Sequence, residues 1–289
     1  MLLALLVPSA LGATLVVDAS GGASYTTITS AIVAATSGDT LSIRAGTYPE
    51  ALDTRGKDLV LHGAGSGAVA VTGGSDEQLN IDQGETVSVR GITFRGAAQG
   101  AELRGATVAF DDVIFASHSG VVSGGGVGAY AGSTVTMTNC ELSDNLVTGS
   151  FNGGGLYIDS SVVTLNTVTI SGNRASQGGG IYVHDGTLTM TDVLIEDNVA
   201  TTHGGGLRVR SASVFTAVRV TVQGNTATGR GGGASFQDSD GTWTASTLEA
   251  NSAGTAGGGL HLDGMQSRGT TLDADVVSNS SGGAAAGIF

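Results

Sequence analysis

Two sets of polar side chains recur along the chain at intervals of 25 to 27 residues. Aromatic side chains can contact sugar rings, and guanidinium groups bind carboxylates. The first set is Tyr157, Tyr182, Arg208, Ser235 and His261, and the second is Asp159, His184, Arg210, Gln237 and Asp263. The candidate ligand-binding residues in these two sets are Tyr157, Tyr182, Arg208, His261 and Asp263.

Three members of the second set are candidates for catalysis. Asp159, His184 and Arg210 would lie side by side if each interval brings the chain back to the same place. A lyase needs a base, together with a cation that stabilises an enolate-like intermediate, and this trio contains both. The alternative is structural, since any soluble repeat protein shows mixed polar columns on its solvated face.

The elements that would position these columns come from a repeat of about 26 residues. Each unit contains an Asn, a short segment, three glycines and a strand of alternating apolar residues. The asparagines are Asn145, Asn173, Asn198, Asn225, Asn251 and Asn279, separated by 28, 25, 27, 26 and 28 residues. The glycine triplets begin at Gly153, Gly178, Gly204, Gly231 and Gly257, within a regular region that spans residues 124–289.

Each unit holds three short strands and shows no helical pattern. The period is too short for a propeller blade, and the spacing of a leucine-rich repeat is absent. We therefore predict an all-β fold, a single right-handed parallel β-helix of about nine coils over residues 14–289. Coils about 4.8 Å apart would stack equivalent residues in columns. The Asn column would form an amide ladder, and Cys140, aligned with Val168 and Val193, would be a small buried apolar residue.

The two ends of the predicted solenoid differ. Residues 27–37 carry apolar side chains at helical spacing, which predicts a short helix covering the N-terminal coil. The C-terminus shows no such cap, so either the chain continues or a partner covers that end. Residues 1–13 form a short apolar run ending in small residues, typical of a secretory signal peptide, with a buried first strand as the alternative.

Composition limits the classes of partner. The chain has a formal net charge of −13 and one lysine among 289 residues. This charge repels phosphate backbones and anionic membranes, so we expect no nucleic-acid partner. No segment is long enough to span a bilayer. The single cysteine excludes an intrachain disulfide, so stacked backbone ladders must stabilise the fold.

Two resemblances to known families follow from these motifs. Residues 17–65, with Tyr25-Thr-Thr-Ile28, Gly38-Asp-Thr-Leu41 and Ala45-Gly-Thr-Tyr-Pro-Glu50, resemble the opening of pectin-lyase-like β-helix proteins. That opening occurs in enzymes and non-enzymes alike.

The repeats resemble those of chlamydial polymorphic outer-membrane proteins and related bacterial surface passengers. Here Gly replaces the Ala of their Gly-Gly-Ala-Ile motif, and Ile170, Ile195 and Val222 replace the Phe of Phe-x-x-Asn. This resemblance implies an exported, adhesin-like stalk displayed at a bacterial cell surface or shed from it.

Other motifs favour structural roles. Asp111-Asp112 is similar to the paired acids of polygalacturonases, but the other motifs of that family are absent. In the repeat alignment Asp112 occupies the column of Asn139, Thr167 and Asp192, next to the inward Val113, which favours a structural role. Asp238-Ser-Asp240-Gly241 resembles half a calcium loop, and a tight turn explains it equally well, so calcium remains an open alternative. We expect no other cofactor, and no spacing of His and Cys indicates a metal site.

The sequence thus favours an exported, non-catalytic β-helix that serves adhesion, cell-surface structure or glycan binding. The alternative is a polysaccharide lyase or glycoside hydrolase that acts on an acidic polysaccharide through the outward face of the glycine-preceded sheet.

Overall fold

The computed structural model describes residues 12–264 and 271–289. Over these residues, thirty-three strands and one helix form a parallel β-solenoid of about ten turns, one more than predicted. The strands lie in three sheets of nine, seventeen and seven members. We call these the first, second and third sheets. Successive coils pair in parallel and in register, so equivalent positions of the repeat form columns along the solenoid.

The first sheet holds the strands that follow the glycine corner. Its members are Leu52–Asp53, Glu77–Ile81, Gln99–Arg104, Val127–Tyr130, Leu156–Asp159, Ile181–His184, Leu207–Arg210, Ala234–Gln237 and Leu260–Asp263. The third sheet contains two-residue strands next to the asparagines. Its members are Ser119–Gly120, Leu146–Val147, Arg174–Ala175, Val199–Ala200, Thr226–Ala227, Ser252–Ala253 and Ser280–Ser281.

The second sheet lies between the other two along each coil. Its members are Thr14–Val17, Thr40–Ile43, Gly46–Tyr48, Leu59–Gly63, Val69–Val71, Thr86–Arg95, Thr107–Ala116, Thr134–Thr138, Glu141–Ser143, Val162–Asn166, Thr169–Ser171, Thr187–Thr191, Leu194–Glu196, Val214–Val218, Thr221–Gln223, Asp240–Glu249 and Thr271–Val277.

A bend runs through the second sheet at one position per coil. The bend residues include Asp112, Asn139, Thr167 and Asp192, whose φ angles lie between 52° and 55°. Asp112 therefore shares its column with the residues that the repeat alignment predicted, and the structure adds that the backbone of each is left-handed. Its carboxylate accepts hydrogen bonds from the Ser66 hydroxyl and backbone N–H. Asp111-Asp112 thus has a structural role.

The core is the interior of the solenoid, where inward columns from the three sheets meet. In the first sheet the predicted inward column, Leu156, Ile181, Leu207, Ala234 and Leu260, is fully buried. Cys140 is also buried, with Val168 and Val193, as predicted. Burial raises the pKa of its thiol to about 12, so the side chain behaves as a neutral apolar group.

The glycine triplets allow one corner of the solenoid to close tightly. The first glycine of each triplet is left-handed, for example Gly204 with φ of 67°. The second approaches its neighbours closely: a Cβ on Gly205 would lie 2.6 Å from the carbonyl carbon and oxygen of Thr226. The triplet therefore meets a conformational requirement and a steric one together.

The predicted asparagine ladder is present. Asn198 shows the pattern: its Nδ2 donates to the Ile170 carbonyl at 2.9 Å and to Asn225 Oδ1 at 3.0 Å. Its Oδ1 accepts from the backbone and side-chain nitrogens of Asn173. The ladder continues one coil further than predicted, because the His118 N–H donates to Asn145 Oδ1 and its Nε2 lies 3.1 Å from the Phe94 carbonyl.

The helix is shorter than the predicted 27–37 and covers Ile28–Ala34. Ile28, Ala31 and Ile32 are buried, and the helix packs on the first strands of the solenoid. The Glu50 carboxylate accepts the N–H groups of Ile28 and Thr29 at 2.8 Å each. At the other end the only lysine, Lys57, donates to three backbone carbonyls, those of residues 32, 33 and 35. Both helix ends are therefore capped by charged side chains from later coils.

The predicted signal segment, residues 1–13, lies almost entirely outside the described residues. At the other end of the chain, the Leu262 N–H donates to the Phe289 carbonyl, so the final segment adds to the first sheet. Within the described residues, no helix is long and apolar enough to cross a membrane.

Candidate functional site

The first sheet aligns both predicted polar columns. Tyr157 pairs with Tyr182, which pairs with Arg208, and the column continues through Ser235 to His261. The second column runs in the same register through Asp159, His184, Arg210, Gln237 and Asp263. The repeat alignment therefore placed every member of both columns correctly.

The exposure predicted for the first column was wrong. Tyr182, Arg208, Ser235 and His261 are all buried, although they point away from the apolar core. The Phe289 ring stacks on the His261 ring, with centroids 5.3 Å apart. The segments that enter the glycine corner also lie beside part of this column, because Gln177, His203 and Arg230 line a pocket together with Arg208 and His261. Each of these three residues immediately precedes a glycine triplet, so they form a third polar column that the sequence interpretation missed.

The tyrosines stack on one another along the solenoid axis. The rings of Tyr157 and Tyr182 are parallel within 5° with centroids 5.3 Å apart, and Tyr130 covers the other face of Tyr157 at 5.4 Å. Arg104 lies 4.7 Å from the centroid of the Tyr130 ring. The faces of Tyr157 are therefore occupied by protein, and the proposed stacking of a sugar on them is not supported.

Two of the three candidate catalytic residues touch. His184 Nδ1 lies 3.0 Å from Asp159 Oδ1, and both side chains are partly exposed. Arg210 occupies the next position of the column, but its guanidinium lies 3.5 Å from the Tyr182 hydroxyl and contacts Ser211. The predicted three-residue cluster is thus reduced to an Asp–His pair.

A polar pocket of about 340 Å³ opens on the first sheet beyond this pair. Its lining combines the three polar columns, and we call it the cationic pocket. It is formed by Gln177, His203, Arg208, Arg210, Arg230, Gln237, His261 and Asp263. The chain is strongly acidic, yet three of its 12 basic residues, Arg208, Arg210 and Arg230, line this pocket with a single carboxylate. The pocket lining therefore carries a net positive charge.

The hydrogen bonds within the pocket hold the arginines in place. The Arg208 guanidinium donates to Ser235 Oγ and to Gln237 Oε1, both neutral acceptors. Arg230 reaches Asp263 Oδ2 at 3.2 Å near the mouth of the pocket. Burial, and next the charge of Arg210, lower the pKa of Arg208 to about 10, so the guanidinium remains charged at neutral pH.

The histidines of the pocket are held neutral by their surroundings. Burial, followed by the charge of Arg230, lowers the pKa of His261 to about 4. Burial also lowers the pKa of His203, with Arg208 and Arg230 contributing. His203 Nδ1 accepts the backbone N–H of Arg230 at 3.2 Å, which leaves Nε2 as the protonated nitrogen.

The acidic turns carry no convergent ligand set in the described part of the chain. There, no group of three or more His, Cys, Asp or Glu side chains converges in a geometry suited to a metal ion. Asp185 and Asp238 are left-handed turn residues with φ of 48° each. Left-handed turns account for these aspartates, in line with the turn alternative.

Comparisons with known proteins agree with this architecture. Residues 77–253 match the family described as right handed beta helix region. No curated protein sequence matches the chain. Carrot pectin methylesterase is 17% identical with a TM-score of 0.45, covering 82% of this chain and 85% of that one.

An alginate lyase and a pectate lyase are also similar in structure. An alginate lyase from Paenibacillus sp. str. FPU-7 is 14% identical with a TM-score of 0.44, over 89% of this chain and 95% of the other. The pectate lyase Pel9A is 12% identical with a TM-score of 0.49, over 92% and 78% of the two chains. At such identities activity does not follow from the likeness. The family match covers more than half of the sequence, and the chain belongs to the right-handed β-helix region family.

Proposed function

We propose that this chain is an exported, non-catalytic β-helix protein that binds a glycan at the cationic pocket. The observation that carries the proposal is the convergence of three arginines, two histidines and two glutamines in one cavity. Such a site offers many donors at fixed positions on a rigid sheet, which suits a hydroxyl-rich ligand. Adhesion or a surface-structural role would use the same rod to present the pocket.

Export is supported by the apolar segment at residues 1–13 and by the resemblance of the repeats to surface passengers. The segment has the length and small-residue ending of a signal peptide. A parallel solenoid also needs no disulfide for stability, because its backbone hydrogen bonds run from coil to coil. Secretion of the full chain, compared with a chain that begins at Ala13, tests this part of the proposal.

The alternative is a polysaccharide lyase or hydrolase, and the contact between Asp159 and His184 favours it. A carboxylate that contacts an imidazole nitrogen can orient the ring as a general base. The pair is partly exposed on the outer face of the first sheet, where a chain-like substrate has access. The cationic pocket, whose residue Arg210 lies on the coil next to that of His184, would then serve as a subsite.

Binding and turnover of purified protein on acidic and neutral polysaccharides, with and without calcium, separate these proposals. We expect binding without new reducing ends or unsaturated products. The double variant Arg210→Gln/Arg230→Gln should lose at least about tenfold in affinity, the order expected for losing charge-assisted contacts. Arg174→Gln, which removes a positive charge from the third sheet, is the matched control.

The catalytic alternative predicts a different result for two further single variants. If the chain is an enzyme, Asp159→Asn and His184→Gln should each abolish turnover and leave ligand binding intact. Turnover by the wild type that disappears in these variants would overturn the non-catalytic proposal.

A further inference from the structure

Two side chains in the cationic pocket are buried without full hydrogen bonding. His261 is 2% exposed, and neither ring nitrogen has a partner among residues 12–264 and 271–289. Arg208 is 5% exposed, and its Nε has no partner among the same residues. Buried polar groups are nearly always satisfied, and leaving one unpaired costs about 1–3 kcal/mol. Both residues line the same cavity, so a ligand entering that cavity can supply the missing partners.

The polarity of the missing partner follows from the groups around it. Arg208 can only donate hydrogen bonds, and its side-chain partners in the pocket, Ser235 and Gln237, carry no charge. Arg210 and Arg230 add two more cations to the lining. The hydrogen-bond acceptors of the Arg208 side chain within the described residues are both neutral, and an acceptor with negative charge stabilises a buried cation more strongly. The orphaned donor and the local excess of positive charge therefore point to the same ligand chemistry.

We infer that the cationic pocket binds an oxyanion, a carboxylate or sulfate group borne by the glycan, and that His261 takes up a proton when the anion enters. This inference rests on the proposed function for the source of the anion. The oxyanion accepts hydrogen bonds from Arg208 and from the protonated His261. His203 has a different part, because its Nδ1 already accepts the Arg230 N–H and its Nε2 donates as a neutral ring.

The direction of the proton movement follows from the charges that share the pocket with His261. These are Arg208, Arg210 and Arg230, together with His203 and the carboxylate of Asp263. Without a bound anion, burial and the nearby cations lower the pKa of His261 to about 4, so the ring is neutral above that pH. An anion offsets the positive charge of the pocket lining and raises that pKa. At a pH between the pKa of His261 in the free protein and its pKa in the complex, binding therefore takes up one proton. The affinity for the anion rises as the pH falls.

The test is titration calorimetry of the full chain with sodium sulfate, a dianion that keeps its charge from pH 5 to 8. Repeating the titration in buffers of different ionisation enthalpy measures the protons taken up. We expect uptake that approaches one proton, and an affinity gain of up to about tenfold for each pH unit of acidification. Absence of sulfate binding at pH 5, or binding without proton uptake, would overturn the inference.

Variants separate the anion site from a general charge effect. Arg208→Gln should remove sulfate binding, whereas Arg174→Gln on the third sheet should leave it unchanged. His261→Gln should bind sulfate with no dependence on pH, and His203→Gln should retain the dependence. Circular dichroism verifies that each variant folds. A pH dependence that persists in His261→Gln contradicts the assignment of the proton, even if Arg208→Gln proves unstable.

The outcome also distinguishes this inference from the proposed function. Galacturonate and a sulfated monosaccharide, compared with galactose, report which oxyanion the site prefers. Proton-coupled sulfate binding with no bound polysaccharide would retain the anion site and remove the glycan proposal. Equal, pH-independent binding of neutral and charged glycans would retain glycan binding and overturn the anion site.

Discussion

At the scale of single residues, buried polar side chains divide into two groups. The asparagines of the ladder have nearly every donor and acceptor satisfied by the neighbouring coil. Arg208 and His261 are also buried, yet each has at least one nitrogen without a partner in the part of the chain that the structure describes. The first group stabilises the fold, because each side chain joins three coils. The second group indicates a binding site, because a ligand can supply the hydrogen bonds that these side chains lack.

The ladder makes a direct prediction about stability. Asn198→Ala removes two donated and two accepted hydrogen bonds, so the Asn173 backbone N–H and the Ile170 carbonyl each lose a side-chain partner in the interior. We expect a loss of at least about 3 kcal/mol in the free energy of unfolding, from several unsatisfied buried groups. Urea denaturation followed by circular dichroism measures it.

Asn166→Ala is the matched control, because Asn166 lies half-buried on the outer face of the second sheet. This variant should change the free energy of unfolding by less than about 0.5 kcal/mol, as is usual for surface substitutions. Equal effects of the two variants would show that the ladder contributes no special stability.

At the scale of the elements, the glycine corner sets how closely the coils approach. The first position of a triplet favours glycine because its backbone is left-handed. The next two positions favour glycine because a Cβ would lie too close to carbonyl groups of the following coil. The same corner brings Gln177, His203 and Arg230 over the first sheet. Structure and candidate site thus depend on one local feature.

Two glycine substitutions separate the steric requirement from the conformational one. Gly205→Ala places a methyl group 2.6 Å from the Thr226 carbonyl, although its backbone is not left-handed. We expect about 3 kcal/mol of destabilisation, the upper range for overpacking. Gly132→Ala has open space but φ of 82°, so about 1–2 kcal/mol is expected from backbone strain.

Thermal unfolding of the two variants and the wild type gives the comparison. The ranking, with Gly205→Ala the less stable, is the decisive quantity. The reverse ranking would mean that the coils can separate to admit a methyl group at the corner.

At the scale of the whole molecule, stability should depend on pH through histidine. Burial lowers the pKa of His118 to about 4, below its ordinary value near 6.5. The neutral ring therefore contributes its full stability above pH 6.5, and the contribution is lost as the pH falls towards 4. As the pH falls, the unfolded chain binds the proton at a higher pH than the folded chain does. The free energy of unfolding is therefore lower by roughly 3 kcal/mol at pH 4.

His118→Asn should remove the part of this dependence that comes from His118, leaving the part that comes from His261 and His203, and should extend the ladder by one asparagine. We expect its urea midpoint to fall less than that of the wild type between pH 7 and 4. His62→Gln, a change at an exposed histidine, should leave the wild-type profile intact. Parallel profiles for the wild type and His118→Asn would place the acid sensitivity elsewhere.

Much of the fold followed from the sequence, because a solenoid turns periodicity directly into position. A repeat of about 26 residues predicted the parallel coils, the register of both polar columns, the ladder and the buried Cys140. Each of these depends only on which residues are equivalent from one coil to the next. The N-terminal helix was also visible in its apolar spacing, although its capping by Glu50 and Lys57 involves residues more than 20 positions away.

The tertiary structure alone decided what the outward columns do. Periodicity shows that Arg208 and His261 point away from the core, but it does not show that neighbouring corner segments cover them. Nor does it show that the tyrosine rings face one another along the axis. Burial depends on the path of segments that break the strand pattern, and so do the pocket and its unpaired nitrogens. The sequence by itself determined the scaffold, and the packing of its irregular corners decided where a ligand can enter.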